Sequence, residues 1–204
     1  VSIEVPATLV KELREKTGAG ILECKKVLTE TGGDLEKAVL LLRQKGKVVA
    51  DKKSSRTARE GLVHAYIHPP GRLGVLVEVN CETDFVARTE EFTSFAKDLA
   101  MHIAASAPLY IRREDVPSEV LEREKTIYAA QARNEGKPEK IIDRIVSGKL
   151  EKFFAEVCLL EQPFVKNQDV TIQNVLQELI AKTGENVVIR RFIRYKVGET
   201  LEGD

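Results

Sequence analysis

The chain has 204 residues, 43% of them apolar and 5% aromatic with no Trp, so it can bury a real core built of Leu, Val, Ile and Ala. Lys plus Arg number 32 and Asp plus Glu also number 32, which removes any long-range pull toward phosphate or acidic lipid and leaves nucleic-acid binding to a local patch. Three cysteines without CxxC spacing argue against a disulfide framework and a zinc site. With no leader pattern in Val1–Leu13 and no run approaching about 18 apolar residues, they predict a cytoplasmic chain, or one inside an organelle.

Leu9, Val10 and Leu13, following Pro6, predict a first helix that ends at Gly18. Ile21, Cys24 and Leu28 form a second stripe, broken at Thr31-Gly32-Gly33. Asp34 then caps a third helix carrying Leu35, Ala38, Val39 and Leu42, which is expected to stop near Gly46. Residues 1–46 thus read as a three-helix domain, and 47–59, with Lys47, Lys52, Lys53, Arg56 and Arg59 around a Ser pair, as a basic linker.

From Leu62 the period changes to two. Leu62–His68, a Pro69-Pro70-Gly71 turn and Leu73–Cys81 predict a hairpin with Leu73, Val75, Val77, Val79 and Cys81 on its buried face. Helices are expected through Phe92–Ile103, from Pro117 through Tyr128, and from Pro138 through Val157 with a break at Gly148. A short helix over Val170–Lys182 precedes a last strand, Asn186–Val197, that joins the hairpin and places Val187, Ile189, Ile193, Tyr195 and Val197 on one face. The fold class is therefore α+β, with residues 60–204 forming a body in which a small antiparallel sheet packs on helices.

Enzymatic chemistry has little to stand on. No GxxxxGK[ST] loop occurs, and the Gly-rich Thr17–Gly20 segment joins two helices, which favours a turn over a phosphate cradle. His64 and His68 share one side of a strand without a nearby Cys, Asp or Glu, so a polar strand face explains them better than a metal does. The basic linker lacks aromatic residues for base stacking, and a solvated connector is favoured over RNA binding.

The informative stretch is Asn80–Arg88, where strand period stops before helix period begins. Pattern alone favours Asp84 as a helix cap with Phe85 folded inward. The alternative is an exposed ring on a rigid strand end, suited to enter a partner's pocket.

Several motifs then occur in one order: Leu9–Arg14 with Thr17–Gly20, Thr83-Asp84-Phe85-Val86, Met101–Ser106, Gly136-Lys137-Pro138, Gln162–Val165, and Gly184-Glu185-Asn186 with Arg190-Arg191. On these the chain resembles, over nearly its whole length, the elongation factor Ts family, exchange factors for the GTPase elongation factor Tu. The resemblance implies a ubiquitin-associated-type head and no covalent chemistry or cofactor. It implies that Asp84 and Phe85, flanked by Thr83 and Val86, press between helices of the GTPase near its magnesium site and promote GDP release. It also implies contact of the head with the G domain around Arg14, Ile21, Leu22 and Lys25, with His68, His102 and Gly184 as further contact positions. Ile21-Leu22 stand where many members have Met-Met, and Thr183 where a branched aliphatic is usual. One hairpin and one helix set resemble the short members, so a homodimer in a 2:2 complex is expected, with Leu76, Val188 and Phe192 on its interface. Neither membrane nor direct nucleic-acid binding is expected. Competing readings are a head that recognises a ubiquitin-like partner and an RNA-associated factor using the basic linker.

Overall fold

The computed structural model describes residues 5–199. Helices α1 (Ala7–Thr17), α2 (Ile21–Glu30) and α3 (Leu35–Lys53) come first. Their stripes converge on Val10, Leu13, Cys24, Val27, Leu28 and Ala38, with Leu9, Leu35 and Leu42 packed around them. Asp34 caps α3 by accepting from the Lys37 N–H at 3.0 Å, and its carboxyl is held below its ordinary range by that bond and by the Lys37 ammonium.

Helix α3 does not stop at Gly46. It runs to Lys53, because Val49 and Ala50 extend the buried stripe that began at Ala38. A single interior Gly costs a helix about 1 kcal/mol relative to Ala, less than this added stripe returns. The first part of the segment read as a linker is therefore helical, and Ser54–Arg59 forms the non-helical connection to the sheet.

Strands β1 (Glu60–His68) and β2 (Leu73–Cys81) form the hairpin, with the Gly71 N–H donating to the His68 carbonyl across its turn. The short helix α4 (Asp84–Ala87) and α5 (Glu90–Ser106) follow. The long helices α6 (Ser118–Asn134) and α7 (Glu139–Val157) pack against each other. The expected break at Gly148 is absent: α7 passes through it, since flanking residues such as Ile145, Val146 and Leu150 keep their helical stripe. A two-stranded antiparallel ribbon of β3 (Pro163–Phe164) and β4 (Asn167–Thr171) precedes α8 (Ile172–Thr183), and β5 (Val188–Lys196) completes a three-stranded sheet in the order β1-β2-β5. The fold is α+β: three helices, then small antiparallel sheets packed against helices.

Two compact units share these elements. The first takes residues 5–64 with Glu78–Lys97 and Asn174–Arg190; the second takes Ala65–Val77, Asp98–Gln173 and residues 191–199. Within the second, the Arg113 guanidinium bonds both Glu151 and Glu161 and lies 4.5 Å from the centre of the Phe154 ring, stapling the start of a 3-10 turn to α7.

The shared face expected for β5 is split. Val187 and Ile189 are buried, Arg190 and Arg191 are both exposed, and Phe192 and Arg194 are the half-buried positions that follow. Two successive residues facing solvent shift the alternation by one, so Ile193, Tyr195 and Val197 turn outward. No helix among the described residues is long and apolar enough to cross a membrane.

Candidate functional site

The segment after β2 is held by a carboxylate from a distant part of the chain. Glu185 accepts from the Glu82 and Thr83 N–H groups, each at 3.0 Å on one oxygen, and from the Thr83 hydroxyl at 2.6 Å on the other. Thr83 also caps α4, its oxygen accepting from the Val86 N–H at 3.4 Å. The cap is therefore Thr83 and not Asp84, which occupies the first helical position and pairs instead with Arg88 at 2.7 Å.

This single turn has one inward face, taken by buried Ala87. Phe85 projects the other way and is 79% exposed. The inward-folded reading of the ring is thus overturned. A one-turn helix offers one buried direction, and the small Ala87 takes it. Val86 is half-buried beside the ring.

The support continues through the loop after α8. Gly184 ends that helix with φ 71°, a left-handed conformation that a side chain would strain, and its N–H donates to the Ile180 carbonyl at 3.0 Å. Lys53, at the end of α3, donates to the Gly184 carbonyl. Thr183 is half-buried and spends its hydroxyl on the Leu179 carbonyl at 2.9 Å.

Of the head residues, Arg14 and Lys25 are exposed, and Ile21 and Leu22 present bare apolar groups at 56% and 84% exposure on the first turn of α2. His68 is exposed at the hairpin turn, where its Nδ1 meets the Tyr66 hydroxyl at 2.8 Å. It belongs to the second unit and is not part of the Thr83–Val86 cluster. Among the described residues no group of three His, Cys, Asp or Glu side chains could hold a metal ion. The three thiols are buried; desolvation pushes those of Cys81 and Cys158 up to about 11, which leaves them protonated and unreactive.

His102 is fully buried and offers no surface to a partner. Its Nδ1 accepts from the Val165 N–H at 3.2 Å, so Nε2 carries the proton and donates to Gln162 Oε1 at 2.9 Å. Burial pushes this imidazole below its ordinary value of 6.5. As pH falls through 6.5 the unfolded chain therefore takes up the proton first, and the stability present above that pH declines. Between about pH 7.5 and 5.5 the urea midpoint of the chain should drop, and that of His102→Gln should drop less. Equal drops would remove this assignment.

Glu185, which anchors this turn, is the residue whose part the sequence pattern does not reveal, although it lies in the Gly184-Glu185-Asn186 string. The signal available was a charged residue directly after a helix-ending Gly.

Three helices ahead of small antiparallel sheets, with an exposed aromatic ring on a braced turn, are features suited to a protein-binding factor. The family model described as "Elongation factor TS" matches residues 8–199. Elongation factor Ts of Carboxydothermus hydrogenoformans is 61% identical over 197 residues, covering 97% of this chain and 91% of that protein. The Heliobacterium modesticaldum protein is 61% identical over 97% of this chain and 92% of its own length, and that of Caldanaerobacter subterraneus 61% over 97% and 99%. The chain belongs to the elongation factor Ts family, non-enzymatic nucleotide exchange factors of translation elongation that act on elongation factor Tu.

Proposed function

We propose that Asp84 and Phe85, set by Thr83 and Val86, form a wedge that enters elongation factor Tu·GDP and disturbs the helices supporting its magnesium and phosphate site. The observation that carries this reading is the exposed Phe85 ring on a turn whose backbone is tied down by Glu185. Exchange requires tighter binding to the nucleotide-free GTPase than to the GDP-bound one, because differential affinity alone shifts a population. Weakened magnesium leaves the diphosphate without its neutralising charge, so GDP loosens without any contact to guanine. Burying the ring in a partner returns roughly 1.5–3 kcal/mol, which is what drives that helix movement.

Arg14, Ile21, Leu22 and Lys25 are proposed to dock on the G domain, with His68 and Gly184 as further contacts and His102 as a support for the Val165 backbone. Stopped-flow release of labelled GDP from elongation factor Tu tests the whole reading, and no acceleration by the chain would reject it. The site of action is then the cytoplasm, with no membrane or nucleic acid involved directly.

The second part of the proposal is a homodimer, giving a 2:2 complex. Leu76 is 47% exposed on the sheet, whereas Val188 and Phe192 are half-buried, so the apolar surface is carried instead by Ile67, Ile193, Tyr195 and Val197. A depression of about 460 Å³ lies between Ile67, Leu76 and Tyr195. Self-association would cover these groups. Sedimentation at micromolar concentration should give twice the 22.8 kDa mass, and a single species at that mass would remove the dimer.

A further inference from the structure

The wedge reading leaves open what keeps the tip in its active shape. The loop carrying it and the loop carrying Glu185 bind each other in both directions. Glu185 takes the Glu82 and Thr83 N–H groups and the Thr83 hydroxyl, while the Glu82 carboxylate takes the Asn186 N–H at 2.7 Å. Asn186 is 3% exposed, and its side-chain amide donates to the Arg56 carbonyl at 2.7 Å. Arg56 in turn stands 3.6 Å from the Glu82 carboxylate. Phe85 makes none of these bonds; those of Glu185 and Glu82 restrain the segment from which the ring projects, and that of Asn186 with Arg56 fixes the loop that carries Glu185.

We propose that Glu185 is a positioning residue for exchange: its carboxylate holds the Thr83 cap, and through it the Phe85 ring, at the angle the partner must receive. The proposal rests on the wedge reading above. A carboxylate suits the task because it is acceptor-only, with two oxygens for three donors. Gln in its place keeps one acceptor oxygen and turns an NH2 group toward the donors, so at least one N–H or O–H loses its partner. The tip then samples several orientations, and the encounter that is productive becomes a fraction of all encounters.

This makes a kinetic signature that a merely structural role lacks. Binding through the head is untouched, so Glu185→Gln should leave the concentration for half-maximal exchange near its original value. The maximal rate of labelled-GDP release should fall about tenfold. In a Phe85→Ala background the same substitution should change little, because no ring remains to be aimed. Glu185→Asp, which keeps the charge but shortens the reach, should lie between.

The experiment is this four-member cycle, read well below the melting temperature with circular dichroism recorded on each variant. If Phe85→Ala does not slow release, the wedge reading fails and the positioning role with it. If Phe85→Ala slows release but Glu185→Gln does not, or slows it equally in both backgrounds, the positioning role alone is overturned. Should Glu185→Gln not fold, Glu82→Gln loosens the clasp from its other side and must reproduce the loss of maximal rate in the parent background and not in the Phe85→Ala one.

Discussion

Phe85→Ala should leave the melting temperature unchanged and cut the maximal rate of GDP release from elongation factor Tu by about 30-fold, the effect of removing a 2 kcal/mol hot spot. The first half follows from the ring's 79% exposure: little that it touches within the chain is lost. The hydrogen bonds that shape the turn belong to Thr83 and Glu185, which the substitution does not alter. The second half follows from the proposed wedge: a ring felt most in the opened GTPase would stabilise that state over the GDP-bound one, and removing it would lower rate more than affinity. Leu22→Asp supplies the contrast. That side chain is 84% exposed on α2, and a carboxylate in its place, desolvated only in the proposed contact with the partner, should raise the half-saturating concentration about tenfold while the maximal rate stays. A Phe85→Ala protein with an unchanged release rate would end the wedge mechanism.

How much of this could be read beforehand depends on the range of the forces involved. The hairpin was legible because Val75, Val77, Val79 and Cys81 alternate strictly and all four are buried. The head was legible because its stripes hold their spacing over three helices. The outward turn of Phe85 was not, since one helical turn is too short to show a period, and intrinsic preference ranks Asp84 above Thr83 as a cap. The clasp was invisible for a different reason: Glu185 and Thr83 stand 102 positions apart, and an acceptor that distant leaves no local pattern. The same limit hid the β3–β4 ribbon, whose strands are too short to alternate. In β5, adjacent Arg190 and Arg191 shifted the phase, and a strict period of two carried the expectation past them.

Gly61→Ala should be the most destabilising of these substitutions, by about 3 kcal/mol or more, and should take exchange down with it. Gly61 lies in β1 with φ 140°, a conformation that costs an L-residue roughly 1–3 kcal/mol. A methyl group there would also run into the Val79 carbonyl oxygen and sit 2.7 Å from the Asn80 Cα. Both are backbone atoms, which cannot swing aside as a side chain can, and overpacking of this kind adds about 1–3 kcal/mol. Neither strand is free to retreat. Val79 is fully buried, and the Asn80 side chain holds the Glu60 carbonyl at 3.1 Å. The displacement therefore passes along β2 into Cys81–Thr83, the segment that Glu185 must meet within hydrogen-bond reach. For a chain of this size a loss of that order lowers Tm by roughly 6–12 °C. Gly74→Ala is the matched control in the same hairpin, because its methyl would meet the tip of the Ile67 side chain at 2.9 Å, a group that can rotate away. Thermal melts should separate the two variants clearly. Stopped-flow at a temperature where both remain folded should show exchange reduced in Gly61→Ala and retained in Gly74→Ala, whereas equal rates would mean that the tip is not aimed through this part of the hairpin.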